Sequence, residues 1–169
     1  MEADRLFEAA SGTAMGIDKD FSAAVATRLS APGWKTQTEI RITKLLRKGF
    51  PRNYGDVDIL AWNPETSRVP IIACKDVQYR KTDGEIAQQL ADFRGELPCH
   101  NKPDALLRHL DRVDLISKHL PELTHYVGFD PTPHLESHLV FKNRVPMQFA
   151  WARIAKHVAL HIFVDLDKI

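Results

Sequence analysis

The chain is poor in cysteine, lacks long apolar runs and carries almost no net charge. Cys74 and Cys99 are the only cysteines in 169 residues, too few for a disulfide scaffold and in keeping with a reducing compartment. No apolar run approaches the roughly 20 residues of a membrane-spanning helix, so no membrane partner is expected. Lys and Arg number 23 against 22 Asp and Glu, a net charge of +1. That balance excludes a histone-like basic protein, and any nucleic-acid surface must come from the local distribution of charge. Neither His-Glu-x-x-His nor Cys-x-x-Cys occurs among the eight histidines and two cysteines, which argues against a zinc site. Internal repeats and low-complexity tracts are absent as well. What remains is ordinary globular composition, 44% hydrophobic and 27% charged, and a chain of this size buries roughly 70% of its unfolded surface without staples. One domain over residues 1–169 is expected. Met1 to Ala14 has early acidic residues and no apolar leader stretch, so a cytoplasmic setting is expected. The helix-like opening at Glu2–Phe7 and the apolar last residue Ile169 lead us to expect a domain cut from a longer protein.

Phe21, Val25 and Leu29 stand four apart and predict a helix over Asp18 to Leu29, stopped by Pro32-Gly33. Trp34 to Leu46 alternates β-branched and polar residues and reads as a strand, although Ile42, Leu45 and Leu46 would also share a helix face. Asp56 to Trp62 and Val69 to Val77 read as a hairpin around the turn Asn63-Pro64-Glu65-Thr66. Thr82-Asp83-Gly84-Glu85 is a capping box that opens a helix to about Arg94, with Ile86, Leu90 and Phe93 inward. Pro103 opens a second helix, with Leu106, Leu110, Val113 and Leu120 inward and Pro121 ending it. Two strands follow, at Ser137–Phe141 and Ala159–Val164, around a short amphipathic piece at Gln148–His157. The order is an α/β layer arrangement around a mixed β-sheet flanked by α-helices.

Chemistry concentrates in Gly55-Asp56-Val57-Asp58-Ile59-Leu60-Ala61-Trp62 and in Ile71-Ile72-Ala73-Cys74-Lys75-Asp76. Side chains at i and i+2 of a strand share a face. Asp56 therefore points with Asp58, and Ala73 with Lys75. Carboxylates and lysines are seldom buried without a partner or a task. These segments resemble the PD-(D/E)xK nuclease superfamily over about Asp18 to Arg94. Its motif is an Asp at a strand start, a hairpin, then Glu or Asp, any residue and Lys on the next apolar strand. Asp58 matches the motif aspartate, Lys75 the lysine, and Asp56 an acidic position of several branches. On the capped helix after them, Gln89 rather than Gln88 lies toward the inward face and matches a supporting glutamine.

The resemblance implies a single restriction-endonuclease-like domain hydrolysing DNA phosphodiester bonds, with RNA as the lesser alternative substrate. Such domains serve as effectors of bacterial restriction, repair or anti-phage defence proteins, and further domains of the parent chain and a homodimer are implied partners. The implied cofactor is Mg²⁺, with Mn²⁺ able to substitute. Asp58, Asp56, the residue at position 73 and the Cys74 carbonyl would hold it. The ion would polarise the phosphate and activate a water, with Lys75 and Gln89 assisting.

One departure stands at the centre of the motif: Ala73 occupies the place of its Glu or Asp. Loss of one transition-state charge contact costs roughly 10²–10³ in rate, so this chain is expected to be inactive. Because Asp58, Lys75 and the capped helix are all intact, a Glu→Ala replacement is the favoured reading. The alternative is a naturally degenerate module that binds nucleic acid or a partner protein without cutting. Arg41, Lys44, Arg47, Lys48 and Arg52 form a basic run with no acidic residue among them, which Arg80 and Lys81 extend. The expectation is a set of phosphate contacts.

Overall fold

The computed structural model of the chain describes residues 19–78, 82–96, 103–128, 132–145, 152 and 156–169. Helix α1 covers 19–30. It is followed by β1 (Lys35–Arg41), α2 (Ile42–Leu45), β2 (Asp56–Trp62), β3 (Arg68–Lys75), α3 (Asp83–Ala91), α4 (Ala105–Ser117), α5 (Leu120–Val127), β4 (His134–Phe141) and β5 (Ala159–Ile162). A 3₁₀ segment, Phe163–Lys168, follows β5. The strands form one five-stranded mixed sheet in the order β1-β2-β3-β4-β5. β2 runs antiparallel to both β1 and β3, while β3, β4 and β5 are parallel. The mixed α/β arrangement expected from the sequence is the one observed.

Burial explains the sheet order. Val69 to Cys74 are all buried, the signature of a strand covered on both faces. On one face Ile59, Ala61, Ile72, Cys74 and Val140 pack against Phe21, Val25 and Leu29 of α1. On the other, Leu60, Val69 and Ile71 meet Leu115 and Ile116 of α4 and Leu123 and Val127 of α5. Ala73, Leu139 and Phe141 continue that face toward Phe93 and Leu106.

Several expected boundaries move. The strand predicted to Leu46 ends at Arg41, and Ile42–Leu45 form one helical turn, because Ile42, Leu45 and Leu46 must all reach the same apolar cluster. Pro121 stands in the first turn of α5 and starts a helix as well as following one, the position where its missing N–H costs nothing. The α4 side chains deepest in the core are Leu106, His109, Leu115 and Ile116, with Leu110 and Val113 packed at the core's margins, whereas Leu120, expected on the same helix, begins α5. The last strand stops at Ile162, not Val164, since Phe163 opens the 3₁₀ segment. β4 begins earlier than expected, at His134, so His134 and His138 lie along a strand. The His138 imidazole meets Glu136 at 3.1 Å and stacks on His161, and Arg68 donates to both oxygens of Glu136. The piece expected at Gln148–His157 lies mostly outside the described residues, as do Arg80, Lys81 and Cys99.

Candidate active site

The loop before β2 delivers the acidic pair. Asn53 Oδ1 accepts the Gly55 N–H at 2.8 Å, a local turn of the kind asparagine favours. Gly55 takes φ +75°, a conformation that suits glycine, and its carbonyl accepts from Ile42 N–H at 3.3 Å. The chain then enters β2 with Asp56 paired to Arg41 of β1.

The β2–β3 ladder is short. Its register pairs Ile59 with Ile72 and Leu60 with Ile71. One residue beyond Ile59, the Asp58 carboxylate joins in, and its Oδ2 accepts the Cys74 N–H at 2.8 Å. Lys75 Nζ lies 3.9 Å from the same oxygen, and the two side chains are about a quarter exposed. Asp58 and Lys75 thus meet at the open end of the hairpin, as the strand pattern predicts. The next carboxylate, Asp76, is taken by Lys142 at 2.6 Å.

Ala73 is 2% exposed and packs in the cluster of Leu139, Phe141, Leu106 and Phe93. Gln89 is 5% exposed. Its Nε2 donates to the Gln78 carbonyl at 2.6 Å, while its Oε1 is buried with no hydrogen-bond partner among the described residues. The glutamine expected to face inward does so, tied to the segment after β3 rather than to Asp58 or Lys75.

Helix α4, far away in sequence, supplies two groups that sequence reading missed. Arg112 Nε donates to the Tyr54 carbonyl at 2.7 Å. A Cβ on Gly55 would stand 3.1 Å from its Nη2, so glycine here serves both the turn and the guanidinium. Burial lowers the Arg112 pKa, the nearby Asp58 and Asp56 carboxylates oppose that shift, and Arg108 adds to it. One turn earlier, buried His109 shares a 3.0 Å hydrogen bond with Ser137 Oγ. Burial, reinforced by the charges of Arg112 and Lys75, pushes its pKa down to about 3, so the ring is neutral at physiological pH. The available signal was a polar pair three residues apart on an otherwise apolar helix stripe.

The basic run divides. Arg41 and Arg52 line a cleft of about 440 Å³ with Thr43, Phe50 and Asp56. Arg52 also pairs with Asp111 at 2.7 Å and lies over the Tyr54 ring at 4.3 Å. Arg47 turns to His125 at 2.7 Å, and Lys44 and Lys48 are exposed outside that cleft. Only part of the run therefore gathers beside the acidic pair.

Among the described residues, no group of three or more His, Cys, Asp or Glu is placed to hold a metal ion. Ala73 brings no side-chain oxygen, and one oxygen of Asp58 already serves Cys74 and Lys75. The residues present do not make a cation cradle of the kind the resemblance implies.

Gly55→Ala is expected to cost about 1–2 kcal/mol, from its positive φ and the displaced Arg112. A urea midpoint equal to that of the parent would show that the Gly55–Arg112 approach is not under constraint.

No curated protein and no solved structure matches the chain. A family described as anti-phage protein Upx-like matches residues 2–167, which takes in every element of the sheet and both walls of the cleft. The description names a role in defence against phage and specifies no reaction. That match covers nearly the whole chain, and the chain belongs to the Upx-like anti-phage protein family.

Proposed function

We propose that this anti-phage chain is a nuclease-type effector domain acting on DNA, with its reaction centre at Asp58 and Lys75 disabled by Ala73. The observation that carries the reading is the meeting of Asp58 and Lys75 at 3.9 Å on adjacent strands, beside a cleft that Arg41 and Arg52 line. Asp58 is held by the Cys74 N–H and in turn holds the lysine near the open sheet end. There the Lys75 ammonium faces a phosphate and stabilises charge that builds on it. Arg41 and Arg52 anchor the strand through its backbone, which fixes position without reading sequence. The reaction implied by the resemblance needs a divalent cation, and position 73 is where the missing carboxylate belongs.

The test is Ala73→Glu, assayed on supercoiled plasmid in Mg²⁺ and in EDTA. Nicking or linearisation in Mg²⁺ alone is expected, with the parent silent in both. A folded Ala73→Glu chain that leaves plasmid intact in Mg²⁺ would sink the proposal. Repeating the assay on RNA decides the substrate.

A second reading rests on Ala73 itself. Its Cβ is sealed in an apolar cluster, which is how a strand interior looks when no ligand is required there. On that reading the chain binds nucleic acid, or a partner protein, without cutting, and Ala73→Glu gains nothing.

A further inference from the structure

A second cleft lies between α4 and the loop that precedes β2. It measures about 250 Å³, and its walls include Arg52, Tyr54, Gly55, Arg108, Asp111 and Arg112. Three arginines thus line one small space with a single aspartate among them, and that carboxylate is engaged by Arg52. Arg108 and Arg112 stand four residues apart on α4, so they share a face and repel one another. Arg112 is tied down through Nε, to the Tyr54 carbonyl. Its Nη2 lies against Gly55, the one residue type that leaves the cleft wall open there.

Clustered guanidinium groups of this kind favour an anion whose oxygens take paired N–H donors, and phosphate is the best match. Among the residues lining the cleft the arginines outnumber the carboxylates by two, although Asp56 and Asp58 also act on Arg112, and that local excess suits a terminal phosphate. Such a group carries about −1.5 to −2 at neutral pH, where an internal diester carries a single negative charge. The neighbouring cleft shares Arg52, Tyr54 and Gly55 and runs on to Arg41 and Asp56.

We infer that the cleft between Arg52, Arg108 and Arg112 holds the terminal phosphate of a nucleic-acid strand, whose next nucleotides pass Gly55 toward Asp56 and Asp58. The inference rests on the nucleic-acid substrate proposed above, but not on cleavage. It makes the site a reader of strand ends, with Arg108 and Arg112 as binding residues that the basic run before β2 does not contain.

The experiment is fluorescence anisotropy with short single strands at one fixed salt concentration, using the chain with Ala73 in place. The strands carry a 5′-phosphate, a 3′-phosphate or hydroxyls at both ends. One phosphorylated strand is expected to bind about tenfold or more tightly than the hydroxyl strand, the scale of a charge-assisted contact. Its polarity tells which end enters. Arg108→Ala alters an exposed side chain, so the fold is not at risk, and it should remove the preference. Arg112→Lys should weaken it while keeping the charge. Lys48→Ala, outside both clefts, should lower all three affinities alike. Competition with a nucleoside monophosphate then separates a site for strand ends from one for free nucleotides, and a site that prefers the free nucleotide overturns the inference. Equal affinity for the three strands, binding to none of them, or a preference that survives Arg108→Ala also overturns it. Equal affinity together with cleavage by the Ala73→Glu chain removes the end site and leaves the nuclease. A phosphate preference without any cleavage does the reverse.

Discussion

An Ala73→Glu chain is expected to melt roughly 5–10 °C below its parent in EDTA and to regain most of that loss in Mg²⁺. Ala73 is 2% exposed, pairs with Leu139 across the sheet and belongs to the apolar cluster that includes Phe141, Leu106 and Phe93. Carried one residue further, the β2–β3 register faces position 73 with Asp58. A carboxylate placed there loses water on one side and meets a like charge on the other, and each effect destabilises it. Lys75, two residues along the same strand face, returns part of the loss. A net cost of about 2–3 kcal/mol corresponds to several degrees for a chain of this size. A cation that binds only the folded form raises stability by mass action. The recovery therefore reports occupancy of the site between Asp58 and the introduced glutamate directly, without a cleavage readout. Scanning calorimetry in EDTA, Mg²⁺ and Ca²⁺ makes the measurement. A variant as stable as its parent in EDTA and indifferent to both ions would mean that side chain 73 never meets Asp58. A variant that regains stability without cutting DNA would separate the cation site from the reaction.

The second large effect lies on the acid side of neutrality. His109 is neutral when folded, with its pKa pushed down to about 3, whereas the unfolded chain protonates it near 6.5. Below pH 6.5 the unfolded state therefore holds a proton that the folded state refuses. Stability falls as pH falls, by roughly 1.4 kcal/mol per unit, until the folded pKa is reached. Between pH 7.5 and 5 that amounts to about 2 kcal/mol. His138, whose pKa burial also lowers, adds to the slope in the same direction. His109→Gln keeps a hydrogen-bonding group for Ser137 and removes the titration. Urea midpoints of the parent and the variant should converge as pH drops from 7.5 to 5. Parallel acid limbs would show that His109 is not the group responsible. Arg112 and Lys75 both disfavour the imidazolium, so the same titration monitors the charge around the candidate site.

The hairpin is legible in the sequence because its two strands are short, regular and locally decided. Asp56 and Asp58 share a strand face by covalent geometry alone. The capping box at Thr82 and Glu85 forms as its spacing predicts. Other features depend on tertiary distance. Nothing local announces that Arg112 reaches back to Tyr54, or that His109 lies within the fields of Lys75 and Arg112. The basic run looks continuous in sequence, yet the turn at Ile42–Leu45 sends Arg47 to His125 and leaves Arg41 by Asp56. Pro121 reads as a stop because a proline ends the helix before it, but the same residue is equally fit for a first turn.

The parallel pairing of β3 with β4 joins residues as far apart as Arg68 and His134, with α3, α4 and α5 between them. Contacts of such long range close late, because a large loop must be fixed before they form. During synthesis Asp58 and Lys75 emerge on one hairpin well before Arg112 and β4 leave the ribosome. Until α4 docks, Tyr54 and Gly55 lack the guanidinium that completes the cleft wall. A nascent or half-folded chain carries its acidic pair with Arg41 and Arg52 but without Arg108 and Arg112, the α4 side of the proposed phosphate cleft. On the proposed reading, a cell making such an effector meets its full DNA-binding form only once folding is complete.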